Sequence, residues 1–521
     1  MVLSISVGSW NTHVAVLRRN ADPELLQSQD SSNKFIPTFL SFGRSGTTSG
    51  FHSKSKLDAK IDPQNLFVDN TFYLLPRLLS PTNLDSVRIL LSFTKIPYQL
   101  TLASEIRYTI SRTNQSLSAE DLFSTFLADC RPKIESCYGK ALDNVIFTCP
   151  SWFSPLQLQS FKNSIVAANF PSSPTVVSEP VALACACLKY FNHSDLGKVL
   201  FLDFGATSFN LYLIDFKSSY VSILNQSFHQ EISGLGIDWI ILENLVSKFC
   251  KHDKFSFFNV YDTSFRRHVV QLLTAIENAK IALSHAGNNL PIKVKSFLSA
   301  EVKGKPRHFD FDQSLSISEF NDLIKPVVRN CLTAVNDFIN SSLIDYSMID
   351  HVILTGGSSS LSLFVDEVRE LFGPKVLNFP RKITPTSITS LGATLYQSKV
   401  ADLVMSGNLF ISFPQLSTQF SFIPINHTIP CTVRRDYNID CHHLTSLDVV
   451  LSCGNQVTQQ QVCKFTITNL VNVPSAPVLI RVVVSINELG GVEILARDKR
   501  NAASQVSCVS ESPLPFSITL L

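Results

Sequence analysis

The stretch "VLFLDFGATSFNLYLIDF", residues 199–216, decides how this chain is read. Two apolar runs of strand character flank a turn of small residues, the pattern of a hairpin. Asp203 stands inside the first run, just ahead of the turn. Burying a carboxylate in a strand costs several kcal/mol unless a cation or hydrogen-bond donors meet it. A carboxylate kept there marks a site.

A second copy of the design lies near the start of the chain. "ISVGSWNTHVAV", residues 5–16, is again strand, small-residue turn and strand, and its Gly8 precedes Gly205 by 197 positions. Glycine in a tight turn lets backbone N–H groups approach an anion and donate to it. Two such hairpins in duplicated α/β halves would clamp a polyphosphate from opposite sides. A third element, "LTGGSS" at residues 354–359, joins a strand to a helix start, where bare backbone and a positive dipole end can face a nucleotide. Each turn alone is ordinary. Their order and spacing together are specific.

Strand-like and helix-like segments alternate to about residue 400, as in an α/β domain. "AEDLFSTFLADCRPKIESCYG" predicts a helix ended by Gly139, and "SISEFNDLIKPVVRNCLTAVNDFINSS" a helix interrupted at Pro326. "GRSGTTSGFHSKSKLDAK" reads as an exposed, mobile loop whose Arg44, Lys54, Lys56 and Lys60 form too sparse a footprint for RNA. After about residue 407 only short strand-like runs remain, predicting a separate all-β module. The expected organisation is two lobes, 1–195 and 196–400, a linker at 401–411 and a β-sandwich at 412–521.

Bulk composition narrows the function classes. A chain of 521 residues, 45% hydrophobic and 17% charged, is globular and divides into several domains. Its net charge of +2 gives no pull toward DNA or membrane. The N-terminal stretch lacks a secretion signal, and no apolar run has the length of a spanning helix. The twelve cysteines then read as reduced thiols of a cytosolic protein. "CHH" at Cys441–His443 carries no metal site, because neighbours on a strand point to opposite faces.

With these motifs in place, the chain resembles the seventy-kilodalton heat-shock chaperones over nearly its whole length. "VIFTCPSWFSPLQLQSFKNSIVAANF", "VVSEPVALACA", "LGIDW", "TAIENAKIALS" and "HVILTGGSSSL" match segments of that family's ATPase domain. "INHTIPCTV" and "VCKFTITNL…VEILAR" match its sandwich strands. The resemblance implies an actin-like, duplicated ribonuclease-H-like ATPase domain followed by a β-sandwich, with ATP and Mg as cofactors. It places Gly8, Ser9, Trp10, Asn11, Gly205, Ala206, Thr207, Gly236, Glu277, Lys280, Ser284, Gly356, Gly357 and Ser358 around the nucleotide. Asp203 would face a hydrated magnesium indirectly, with Glu179 as the second acid.

The departures from the family matter as much. The aspartate before its first turn is Ser6 here, and its catalytic lysine aligns on Thr71. The arginine that stacks on adenine is Ile281, the arginine after the glycine turn is Ser360, and the acid beside the adenosine pocket is Thr386. Thr71 cannot supply the charge that orients the attacking water. The family's linker keeps only Asp402-Leu403-Val404, and no helical lid is expected after the sandwich.

These changes resemble the ribosome-associated branch of the family, which implies weak or absent hydrolysis, a J-domain co-chaperone, ribosomes, and nascent or unfolded polypeptide as partners. An ordinary ATP-driven peptide-binding chaperone, a sugar or acetate kinase on the same scaffold, and a nucleotide-free scaffold are the other readings. The sandwich argues against the kinase.

Overall fold

The computed structural model of the protein describes residues 1–521 apart from 29–31, 44–45, 51–52, 55–69, 80–98, 103–105, 111–112, 192–195, 219, 254–265, 287–288, 303–304, 382, 441–443, 455–458, 472–476, 511–512 and 521. The Cys441–His443 stretch and Arg44, Lys56 and Lys60 lie outside the described residues.

Two lobes carry the two hairpins. In the first, Val2–Val7 pairs antiparallel with Asn11–Leu17 and parallel with Val145–Cys149, which pairs parallel with Thr175–Ser178. All five residues of Val145–Cys149 are buried, as a parallel strand covered on both faces requires. In the second, Gly197–Phe204 lies between His351–Thr355, parallel, and Phe209–Phe216, antiparallel, with Tyr220–His229 beyond. Both glycine turns therefore leave their sheets on the same side as the helix that begins at Glu179 and the turn at Gly356.

Local chemistry explains most helix limits. Ala119–Tyr138 opens with a capping box between Ser118 and Asp121, and Gly139 closes it at φ 75° with its N–H on the Glu135 carbonyl. Pro155–Ala167 starts on a second box, Ser154 with Gln157. Pro326 does not interrupt its helix, which runs unbroken over Ile317–Ser341. Pro326 and Asp322 both face solvent, so the carbonyl freed four residues upstream can turn to water.

The segment expected to be a mobile loop is partly built into the lobe. Gly46–Ser49 pairs with Phe39–Gly43, Ser49 and Ser53 are buried, and Lys54 is half-buried. Its hydroxyls pair inward, Ser49 with Asp129 and Ser53 with the Thr48 carbonyl, which offsets the low apolar content.

Eight of the described strands after residue 400 form a sandwich of two four-stranded sheets. One holds Thr418–Ile423, Asn408–Phe413, Leu447–Gly454 and Gln459–Ile467, and the other Cys431–Ile439, Val478–Ile486, Val492–Asp498 and Val506–Val509. Val478–Ile486 alternates buried and half-buried along its whole length, the period-two signature of a sheet with one face in a core. The turn after it seats the fully buried Leu489 in the first lobe's core, with Glu488 paired to Lys162.

Two short strands of the expected sandwich join the second lobe's sheet instead, Thr428–Ile429, which pairs with Val400–Met405, and Phe516–Leu520. Phe516–Leu520 leaves the sandwich and inserts between Tyr220–His229 of the second lobe and Val400–Met405 of the linker. Phe516 and Ile518 are buried in a core that runs from the lobe to the sandwich. The Ser222 and Ser517 hydroxyls bond at 2.8 Å, and Thr519 exchanges hydrogen bonds with the backbone of Asp402. The first part of the linker, Val400–Met405, is thus a strand of the second lobe's sheet, whereas Asn408–Phe413 already belongs to the sandwich.

Two outcomes are expected from this architecture. Phe516→Ala should cost about 3–5 kcal/mol, and hydrogen exchange should rise at Val221–Ile223 and Leu403–Met405 while the sandwich interior at Val482 stays protected. Uniform change, or none, would show that this strand does not tie the units together. His13, on the first hairpin beside Phe35, is pushed by burial from 6.5 down to about 4. The unfolded chain therefore binds the extra proton within that window. The stability from neutral His13 is complete above 6.5 and is lost as pH falls toward 4. His13→Gln should flatten the melting temperature against pH between those values.

Candidate functional site: the cleft between the lobes

The two hairpins close in the same way. The Gly8 N–H donates to the Asn11 carbonyl at 3.1 Å and the Gly205 N–H to the Ser208 carbonyl at 2.9 Å. A Cβ on Gly8 would lie 2.7 Å from the Asn11 carbonyl oxygen, so only glycine fits. The turn tips meet across the cleft through a 2.9 Å bond between the Ser9 and Thr207 hydroxyls. Gly356 sits at φ 85°, where a Cβ would approach the Phe204 carbonyl oxygen to 2.4 Å and Asp203 Oδ1 to 2.9 Å. That approach brings the third turn against the second hairpin.

Between them lies a cavity of about 410 Å³. Asp203 and Glu179 form its acidic end. The Thr355 hydroxyl donates to Asp203 Oδ1 and the Asn210 amide to Oδ2, each at 3.0 Å. Burial still raises the Asp203 carboxyl above its ordinary range, against those two donors. Glu179 opens the helix Glu179–Tyr190 and accepts from the Tyr212 hydroxyl at 2.9 Å. Burial, then the charge of Asp203, pushes it up to about 8. Two desolvated acids, of which Glu179 is raised further by the charge of Asp203, suit a divalent cation.

The other end is built on the helix Arg266–Ala286. Lys280 pairs with the buried Asp238 at 2.8 Å and donates to the Gly234 carbonyl at 3.0 Å. Burial raises Asp238 to about 6, with Lys280 opposing. Glu277 accepts from the Trp10 indole at 2.6 Å and from Lys54 at 2.8 and 3.0 Å. The Lys54 ammonium also lies 5.1 Å from the centre of the Trp10 ring. Trp10, Lys54 and Glu277 thereby join the lobes beside the cavity. Ile281, half exposed, and Ser360 and Thr386 complete this end.

Asp203, Glu179, Gly8, Ser9, Trp10, Asn11, Gly205, Ala206, Thr207, Glu277, Lys280, Ser284, Gly356, Gly357 and Ser358 all line the one cavity. Two expected residues do not. Thr71 is fully buried in the strand Thr71–Tyr73, its hydroxyl on Ser41, and Pro76 and Arg77 are what this segment brings to the cavity wall. Gly236 bonds its N–H to the Ser233 hydroxyl, and Gly234 lines the cavity instead. The Gly234 N–H is held on the Gly205 carbonyl, and a Cβ there would meet the Ser358 hydroxyl at 2.3 Å. Asp238, Asn210, Trp152 and Arg77 are wall residues that sequence reasoning missed.

The residues present fit a magnesium nucleotide. Three buried polar atoms on the wall, Asn11 Oδ1, Asn210 Oδ1 and Arg77 Nε, have no partner among the described residues. Asp203, Glu179 and Asn210 would hold the hydrated metal, whose charge offsets that of the phosphates when it is bound. The three glycine turns offer backbone donors to the polyphosphate. Glu277, Lys280 and Ser284 flank the nucleoside end, although the Ser284 hydroxyl already donates to the Lys280 carbonyl at 2.8 Å. Among the described residues no group of three or more His, Cys, Asp and Glu gathers as a metal site.

Comparison with known proteins agrees with this geometry. The chain is 23% identical over 494 residues to heat shock cognate 70 kDa protein 3 of Dictyostelium discoideum, covering 91% of this chain and 74% of that one. It is 21% identical over 525 residues to the ribosome-associated molecular chaperone SSB of Candida glabrata, covering 98% and 82%. To the mitochondrial heat shock 70 kDa protein of Solanum tuberosum it is 22% identical over 527 residues, covering 98% and 73%. The family model described as Hsp70 protein matches residues 2–513, and the chain belongs to the Hsp70 family of chaperones.

Proposed function

We propose that this Hsp70-type chaperone binds Mg-ATP with weak or absent hydrolysis and acts with a J-domain co-chaperone on nascent polypeptides at the cytosolic ribosome. The observation that carries the first half is the part of the cavity wall supplied by the segment after Thr71. The segment reaching it supplies Pro76 and Arg77, while Thr71 is buried elsewhere. No described lysine approaches the acidic end, since Lys280 and Lys54 are paired with Asp238 and Glu277 at the other. A proline orients no water, and a buried guanidinium stays protonated, so neither replaces a lysine in proton handling.

Binding leans on backbone donors and on Asp203, which this chain keeps. Millimolar Mg-ATP should raise the melting temperature by mass action, and single-turnover hydrolysis should stay near the uncatalysed background. Asp203→Asn should reduce the Mg-ATP shift and leave the nucleotide-free melting temperature within a few degrees. Several turnovers per minute from a contaminant-free sample would refute the weak-hydrolysis reading. A second reading, a nucleotide-free scaffold, is favoured by the Ser9–Thr207 bond, which already joins the turn tips. No thermal shift with any nucleotide would select it.

The partner half is supported by relatives named as ribosome-associated chaperones and by two sandwich edges. Thr418–Ile423 and Cys431–Ile439 each end a sheet, and Thr418, Gln419, Phe420 and Ser421 are exposed. An extended segment of a partner can add to such an edge. The chain should co-purify with a J-domain protein and sediment with ribosomes. Phe420→Asp should release the partner, whereas Asp203→Asn should not. A ribosome-bound chain that carries no J-domain protein would overturn this half.

A further inference from the structure

Arg77 is a cavity-wall cation that meets no carboxylate among the described residues. It is 7% exposed, on the short 3-10 helix Leu75–Leu78. Its guanidinium carbon lies 4.1 Å from the centre of the Trp152 ring and 4.3 Å from that of Phe228. One terminal nitrogen donates to Gln230 Oε1 at 2.9 Å, and the buried Nε has no partner among the described residues. The other described cations on or beside the cavity are neutralised, Lys280 by Asp238 and Lys54 by Glu277. A desolvated charge with only aromatic faces and one amide oxygen is an incomplete arrangement, because taking such an ion out of water costs several kcal/mol.

We propose that Arg77 binds the terminal phosphate of a nucleoside triphosphate in this cavity, and that the phosphate is the anion the guanidinium lacks. The planar fork matches a phosphate in a way a point charge does not. Trp152 and Arg77 come from the first lobe and Phe228 and Gln230 from the second, so the contact also ties the phosphate to both lobes. Arg77 is a binding and positioning residue here, with no proton to give or take.

This rests on the nucleotide reading above, and titration calorimetry on the full chain separates the two. Wild-type protein should bind Mg-ATP about tenfold or more tightly than Mg-ADP, the discrimination expected of a charge-assisted contact. Arg77→Gln should bring the two affinities within about threefold, mainly by weakening ATP, and Arg77→Lys should fall between. Equal wild-type affinities for ATP and ADP overturn the proposal even if Arg77→Gln fails to fold. So does an Arg77→Gln variant that loses ATP, ADP and adenosine in equal proportion, since that marks a structural role. No binding of any nucleotide overturns the nucleotide reading and this proposal together, whereas binding without ATP preference overturns this one alone.

Discussion

The arrangement depends on a strand that pairs on both its edges. Phe516–Leu520 satisfies backbone groups of the second lobe on one side and of the linker on the other. An extended segment without such partners would leave buried donors and acceptors unmade, at a cost comparable to the whole stability of a domain. Lobe, linker and sandwich therefore share one core, in which Tyr212, Met405, Phe516 and Val482 belong to the same cluster. The second lobe is joined to the sandwich behind the cleft.

Two cation–aromatic contacts flank the cavity. Lys54 lies by Trp10 on the nucleoside side, and Arg77 lies by Trp152 and Phe228 on the other. They differ in how charge is balanced. Lys54 has a carboxylate in Glu277 and is electrically complete. Arg77 has none among the described residues, while the same cavity holds Asp203 and Glu179, two acids whose burial raises both. The protein holds charge of both signs apart around an open volume, an arrangement that stores unfavourable desolvation until a ligand carrying both signs fills it.

Much of this is legible from residue type. The glycine turns are readable because Gly8 and Gly356 meet backbone oxygens too closely for any side chain, and a chain shows that need by placing glycine. Asp203 is readable because a carboxylate in an apolar run needs compensation. The same logic applies to the arginine in "FYLLPRLLS", but alignment with the family's lysine points to Thr71, five residues upstream of the proline that reaches the wall. A strand's alternation also tells which face is buried and not against what. Phe516 and Ile518 show the period-two pattern of a sandwich strand, and only tertiary pairing decides that they serve the ATPase sheet instead. Pro326 misleads for a simpler reason, since its cost falls on a carbonyl that happens to face water.

The doubly paired strand also bears on how the chain is made. Ser222 and Ser517 touch although 295 residues separate them, so the sheet of the second lobe stays incomplete until synthesis has reached Ser517. During that interval Tyr220–His229 presents an edge carrying Val221 and Ile223, both buried in the finished protein, with hydrogen-bonding groups open to any extended segment nearby. Contacts of such long separation form late and slowly. A molecule of a family that shields unfinished chains thus passes through a stage in which its own ATPase domain is one of them.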